Sequence, residues 1–317
     1  MTYNMQSRPG MSYSAAFFIL IGMLGAGFII GGLAALGVWT AMTGKGVLQM
    51  EKEMLNPANV QAVRMVQLVS TFFIFFLPAY VTALIINKRP LKFLGFNVYF
   101  SWRQFLLAIG IMLVSLPVVG ALSELNKVIP VPDAYAAFFR ELEETYEKQV
   151  AVLSRITGFK DYIISIFVMA LGPAIFEETF FRGGMQNLLQ QWTRKPIWAI
   201  IITSLIFSAI HFSYYGFIPR VALGVVLGLI YYYSGSIWLS IAGHFFNNAL
   251  VVTQIYIYAR QGKPIEEAMN ESSPIWLGAI ALLGLTALLL LYKSYSAVDR
   301  KKLEPAEDRA LEEKWMA

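Results

Sequence analysis

The sequence predicts an all-α polytopic membrane protein, with about eight transmembrane helices around a polar intramembrane cavity. Three observations carry that prediction. Of the 317 residues, 57% are hydrophobic and only 14% charged, where a soluble domain carries roughly a quarter charged residues. The mean hydropathy is correspondingly high, at +0.58. Residues 9–44, 65–87, 104–123, 196–219, 221–259 and 272–292 contain no Asp, Glu, Lys or Arg, and a spanning helix needs roughly 20 apolar residues. The chain has 0 cysteines, so no disulfide staples it and no thioester lipid anchors it. A soluble enzyme, a secreted domain and a disordered chain are excluded. The net charge of +5 is read as topology and contact with the lipid bilayer, not as nucleic-acid binding.

The spans follow in order. Ser14 to Ala41 is too long for a signal-peptide core and is a retained first span. Its Gly22, Gly25, Gly27, Gly31 and Gly32 would allow close helix contact, although glycine is common in membrane helices generally. A second span fits 65–87, with a kink expected at Pro78, and a third fits 104–123. Between Glu124 and Asp161 the acids Glu141, Glu143, Glu144 and Glu147 mix with Phe138, Phe139, Val150 and Leu153. That mixture suits a polar-faced helix at the membrane surface, or a solvated hairpin between spans. The fourth span starts near Tyr162 and must run through Glu177 and Glu178 toward Leu189 to be long enough. A fifth fits 196–215. The uncharged run 221–259 is too long for one helix and breaks at Ser234-Gly235-Ser236, giving spans at 218–234 and 237–258. An eighth, at 274–293, precedes a charged tail. The short loop holding Lys88, Arg89, Lys92 and Arg103 without any acid argues for a cytoplasmic side, with both termini cytoplasmic.

A charge inside a span costs several kcal/mol, so its default reading is functional. Glu177, Glu178 and Arg182 fall in the fourth span, His211 in the fifth, and His244, Asn247 and Asn248 in the seventh; both histidines of the chain are in this set. Glu178 and Arg182 are one helical turn apart in the order that favours an ion pair. Glu177 is displaced by about 100° around the helix and faces elsewhere, which leaves its carboxyl available as a general base. His244 and Asn248 share a face. Each residue taken singly also has a plain structural reading, as a buried ion pair, a packed histidine or an interhelical hydrogen bond. Together, a base, two imidazoles and a carboxamide suit water activation and oxyanion stabilisation. Other intramembrane protease chemistries lack their residues here. Both histidines are followed by Phe, which excludes His-Glu-x-x-His, and Asp133, Asp161, Asp299 and Asp308 all lie away from span centres.

Glu177-Glu178-Thr179-Phe180-Phe181-Arg182 resembles the Glu-Glu-x-x-x-Arg motif of the CAAX-protease and bacteriocin-processing (CPBP, or Abi) family. Phe207 to His211 resembles its Phe-x-x-x-His motif, and His244 to Asn248 its His-x-x-x-Asn motif. The resemblance covers about residues 160–255 and implies a catalytic core there, flanked by 1–159 and 256–317. It implies an intramembrane endopeptidase in which Glu177 activates water, His211 helps hold it, and His244 and Asn248 form the oxyanion hole. Glu178 and Arg182 would orient the helix and the first glutamate. The expected mechanism uses no cofactor. Zinc held by Glu177, His211 and His244 is the alternative, disfavoured because Glu178 is expected to be spent on Arg182 and so unavailable to orient a histidine. Expected partners are a membrane protein or peptide substrate, lipid-modified in one version, in a bacterial inner membrane. A non-catalytic scaffold or bacteriocin-immunity protein is the rival reading, and a proton-coupled transporter a third, weakened by the absence of an internal repeat.

Overall fold

Every regular element that the computed structural model describes is a helix; it describes residues 11–97, 101–263 and 272–303. Eleven helices follow in order: α1 Tyr13–Thr43, α2 Val47–Met54, α3 Pro57–Ile86, α4 Pro90–Phe93, α5 Trp102–Lys127 and α6 Asp133–Leu153, then α7 Phe159–Thr193, α8 Pro196–Ala209, α9 Phe217–Ser234, α10 Ile237–Arg260 and α11 Ile275–Leu303. The N-terminal residues 1–10 and most of the charged tail, 304–317, lie outside the described residues, and with them the expected placement of both termini.

Six of these helices are long and apolar enough to cross a membrane: α1, α3, α5, α7, α9 and α11 up to Val298. The chain is an integral membrane protein. Eight spans were expected, and the two missing ones differ for separate reasons. The expected fifth span is α8, whose 14 residues reach only about 21 Å against the roughly 30 Å of a hydrocarbon core. The expected seventh is α10, which has 24 residues but carries Ser240, His244, Asn247, Asn248, Thr253 and Gln254 along its length. Lipid-facing character is plain elsewhere: Phe18, Ile29 and Leu33 of α1 are 63%, 68% and 67% exposed, an arrangement that only an apolar solvent tolerates at this density.

Packing is close where backbone meets backbone. Gly27 and Gly31 of α1 face α3; a Cβ on Gly27 would sit 2.6 Å from the Phe73 carbonyl oxygen. Gly22, Gly25 and Gly32 have nothing within 4 Å, so only two of the five glycines serve helix contact. Three π-helical stretches, Phe72–Phe76 in α3 and Ile166–Leu171 and Thr179–Gln186 in α7, widen the backbone. The first sits directly before Pro78, where its looser turn accommodates the missing N–H without ending the helix. The last begins immediately after Glu178, and π-bulges of this kind concentrate at functional positions.

Two sets of polar contacts tie α6 and its flanks to neighbouring elements. Arg64 of α3 is fully buried and its Nη2 donates to the carbonyls of Leu153 (3.2 Å) and Arg155 (2.9 Å), with Nη1 3.5 Å from Asp161 Oδ1. Helix α6 has no buried residue, yet its Glu143 accepts hydrogen bonds from Ser213 Oγ (3.1 Å) and the Tyr215 N–H (3.3 Å). It is therefore one continuous polar-faced helix laid over the loop between α8 and α9, and not a hairpin.

Gly183 allows the π-stretch of α7 to touch the Leu94 carbonyl oxygen, which a Cβ would approach to 2.6 Å. Gly183→Ala is expected to destabilise the protein by about 1–3 kcal/mol, read as a lowered thermal midpoint in detergent. Gly22→Ala, with open space around it, is expected to leave that midpoint unchanged.

Candidate active site

The site is assembled by three elements: α7 supplies Glu177, Glu178 and Arg182, the end of α8 leads to His211, and α10 supplies Ser240, His244 and Asn248. Glu178 is its centre and is fully buried. Its Oε2 lies 3.2 Å from Arg182 Nε and accepts a hydrogen bond from Ser240 Oγ. Its Oε1 accepts from His244 Nδ1 at 2.9 Å. A carboxylate removed from water is tolerable only when its lone pairs are so occupied. The expectation that Glu178 would be spent on Arg182 alone is corrected here. The two carboxylate oxygens are divided between the arginine and the histidine, so Glu178 does orient an imidazole.

Arg182, also fully buried, donates from Nη2 to the Gly224 carbonyl of α9 at 3.3 Å and stacks its guanidinium 5.0 Å from the Phe207 ring centroid. Phe207 is the shared surface of the site. Its ring also meets His211 edge-on at 5.0 Å and His244 at 6.0 Å. One aromatic thus keeps the two histidines and the arginine on a common wall.

Each remaining residue has a readable hydrogen-bond state. His211 Nδ1 is 2.7 Å from the Phe207 carbonyl oxygen; since a carbonyl only accepts, Nδ1 is the protonated nitrogen and Nε2 carries the free lone pair in the neutral ring. His244 Nδ1 is likewise committed to Glu178, leaving Nε2 to face outward. Asn248 donates to the Met169 carbonyl at 3.4 Å, and Asn247 donates to Asn248 Oδ1 at 3.3 Å. Glu177 stands apart. It is buried at 8% exposure, within electrostatic range of His244, Glu178, Arg182 and Arg220, and its carboxyl has no hydrogen-bond or ion-pair partner among the described residues.

The expected polar cavity is not shown. A small space lined by Met11, Ser12, Ala16, Ile86 and Phe93 lies between α1, α3 and α4, while the polar groups of α7 and α10 close on one another. Among the described residues no group of three or more His, Cys, Asp or Glu side chains is placed to hold a metal ion, so Glu177, His211 and His244 do not form a zinc triad as they stand. Two participants escaped sequence reasoning. Ser240 looks like any hydroxyl in a membrane helix, and its position one turn before His244 was the available signal. Arg220 opens α9 and looks like an ordinary charge at a span boundary.

Residues 159–250 match the family model described as type II CAAX prenyl endopeptidase, Rce1-like. All six expected site residues fall inside that segment. That segment, under a third of the chain, is similar to this family. A curated relative, the uncharacterized protein YpbD of Bacillus subtilis, is 33% identical over 122 residues, a match covering 36% of this chain and 60% of the relative. The chain thus matches under two thirds of that relative's length. No solved structure matches it.

The central ion pair yields a test by double-mutant cycle. Glu178→Gln and Arg182→Met each strand a buried charge and are expected to cost about 3–5 kcal/mol. The double variant removes both charges and is expected to be less destabilising than the sum of the two. Thermal unfolding of the four proteins in detergent measures the coupling.

Proposed function

We propose that the protein is an intramembrane endopeptidase of glutamate type, cutting peptide bonds in membrane-associated proteins or peptides, lipid-modified ones included. The observation that carries this reading is Glu177, a buried carboxyl without a partner beside a second carboxyl whose oxygens are all used. A protein that needed only a structural anchor in α7 has one in Glu178. An additional unpaired carboxyl in hydrocarbon is costly and is retained for chemistry.

The proposed reaction needs no cofactor. Water donates one hydrogen to the Glu177 carboxylate and the other to the free Nε2 of His211, and Glu177 removes the first as the oxygen attacks the peptide carbonyl. The negative charge that builds on the carbonyl oxygen is met by His244 through Nε2–H and by the Asn248 carboxamide. In this role His244 carries a proton on both ring nitrogens, with Nδ1–H donating to Glu178. Glu177 then delivers its proton to the leaving amine as the C–N bond breaks. The same contact supports a second assignment, in which neutral His244, held by Glu178, is the base and Glu177 stabilises the imidazolium. The proposed setting is a bacterial inner membrane with both termini cytoplasmic, after the acid-free loop of Lys88, Arg89, Lys92 and Arg103.

Mass-spectrometric profiling of protein termini in membranes from cells producing wild type or Glu177→Gln tests the proposal. New termini are expected with wild type and, at equal protein abundance, a loss of about 100-fold or more with Glu177→Gln, the range for a missing general base. Identical termini in both, with any cellular phenotype intact, would move the reading to a scaffold or immunity protein.

A further inference from the structure

Arg220 takes no part in the reaction described above, yet it stands at its edge. It lies in the first turn of α9, with its backbone N–H donating to the Gly216 carbonyl at 3.1 Å. The loop before it carries His211, Ser213 and Tyr215. Its guanidinium lies so close over Gly216 that a Cβ there would collide with Nη2. On its other side the guanidinium stacks 5.0 Å from the ring centroid of Tyr146 in α6. Gly216 and Tyr146 therefore flank it.

Among the described residues no carboxylate forms an ion pair with this guanidinium. Nη1 is buried and has no hydrogen-bond partner. Glu143, one helical turn before Tyr146 on α6, uses both oxygens on Ser213 and Tyr215. Arg182, the other guanidinium near the site, is neutralised by Glu178. Arg220 is thus a held cation with an unpartnered buried donor, in electrostatic range of both His211 and Glu177. A guanidinium in that state pairs best with a carboxylate, whose two oxygens match two parallel N–H donors.

We propose that Arg220 is a substrate-binding residue that receives a carboxylate carried by the peptide, setting the scissile bond against Glu177 and His211. The inference rests on the endopeptidase reading but concerns binding, so it is tested apart from turnover. The carboxylate comes from the peptide's C-terminus or from an acidic side chain near the cut. Tyr146 packs against this guanidinium, so α6 contributes to recognition.

The test uses full-length chain with Glu177→Gln, held in phosphatidylcholine nanodiscs, to which a pooled library of apolar nonapeptides is applied. Every peptide is present with a free C-terminal carboxylate, with a C-terminal amide, and as an amide with one internal Glu. Retained peptides are counted by mass spectrometry. With Arg220 present, one carboxylate-bearing class is expected to exceed the plain amides roughly tenfold or more, the worth of a charge-assisted bond, and the class that wins names the source. Arg220→Met is expected to bring the ratio to about one, and Arg220→Lys to restore part of it, which a merely misfolded variant would not do. Equal retention of all three classes with Arg220 present, or a preference that survives Arg220→Met, would overturn the proposal. Cleavage in cells without an Arg220-dependent preference would sink this inference and leave the endopeptidase standing; the preference without cleavage would do the reverse.

Discussion

A buried carboxylate with both oxygens engaged is the fixed point of this molecule. Glu178 sits at zero exposure and is bound by Arg182 from its own helix and by Ser240 and His244 from α10. In a medium without water none of these groups can exist alone. The requirement that they meet sets the register of α7 against α10, and Arg182 extends it to α9 through the Gly224 carbonyl. The hydrophobic surfaces around them are interchangeable with lipid as far as burial is concerned, so polar pairing and close glycine packing decide which faces touch.

The same constraint explains why neighbouring glutamates have different characters. Consecutive helical residues point about 100° apart, so when Glu178 is drawn to α10 its neighbour cannot follow. Glu177 is left in a buried position with its carboxyl free, and the π-helical turn that begins at Thr179 changes the register behind it. Phe207 then closes the wall, holding both imidazoles edge-on while its own carbonyl fixes which nitrogen of His211 is protonated. The chemistry proposed for the site uses what this arrangement leaves over: the Glu177 carboxyl and the outward nitrogens of His211 and His244.

Much of this was legible in the sequence, and the misses have physical causes. Uncharged runs located α1, α3, α5, α9 and α11, and the length that a span needs carried α7 through its glutamates; α3 nevertheless starts well before residue 65, because Arg64 reads as a span boundary. In the structure it is buried and satisfied by the Leu153 and Arg155 carbonyls, contacts some ninety residues away that periodicity cannot see. Spacing along one helix brought out Glu178 with Arg182, because that pair is local. The His244 and Ser240 contacts to Glu178 bridge two helices and appear only once packing fixes their rotation. Helix α8 misled for another reason: composition marks a segment as apolar but does not say where it stops, and here the turn at residues 210–216 ends it early.

The central claim is that Glu177 moves a proton and that water itself forms the new bond. A single turnover in heavy-oxygen water tests it, with the products and the Glu177-containing peptide of the protein analysed by mass spectrometry. The account predicts heavy oxygen in the newly formed carboxylate of the product and none in the Glu177 side chain. Label in Glu177 would mean that its carboxylate had attacked the substrate and been released by water, which would contradict the account.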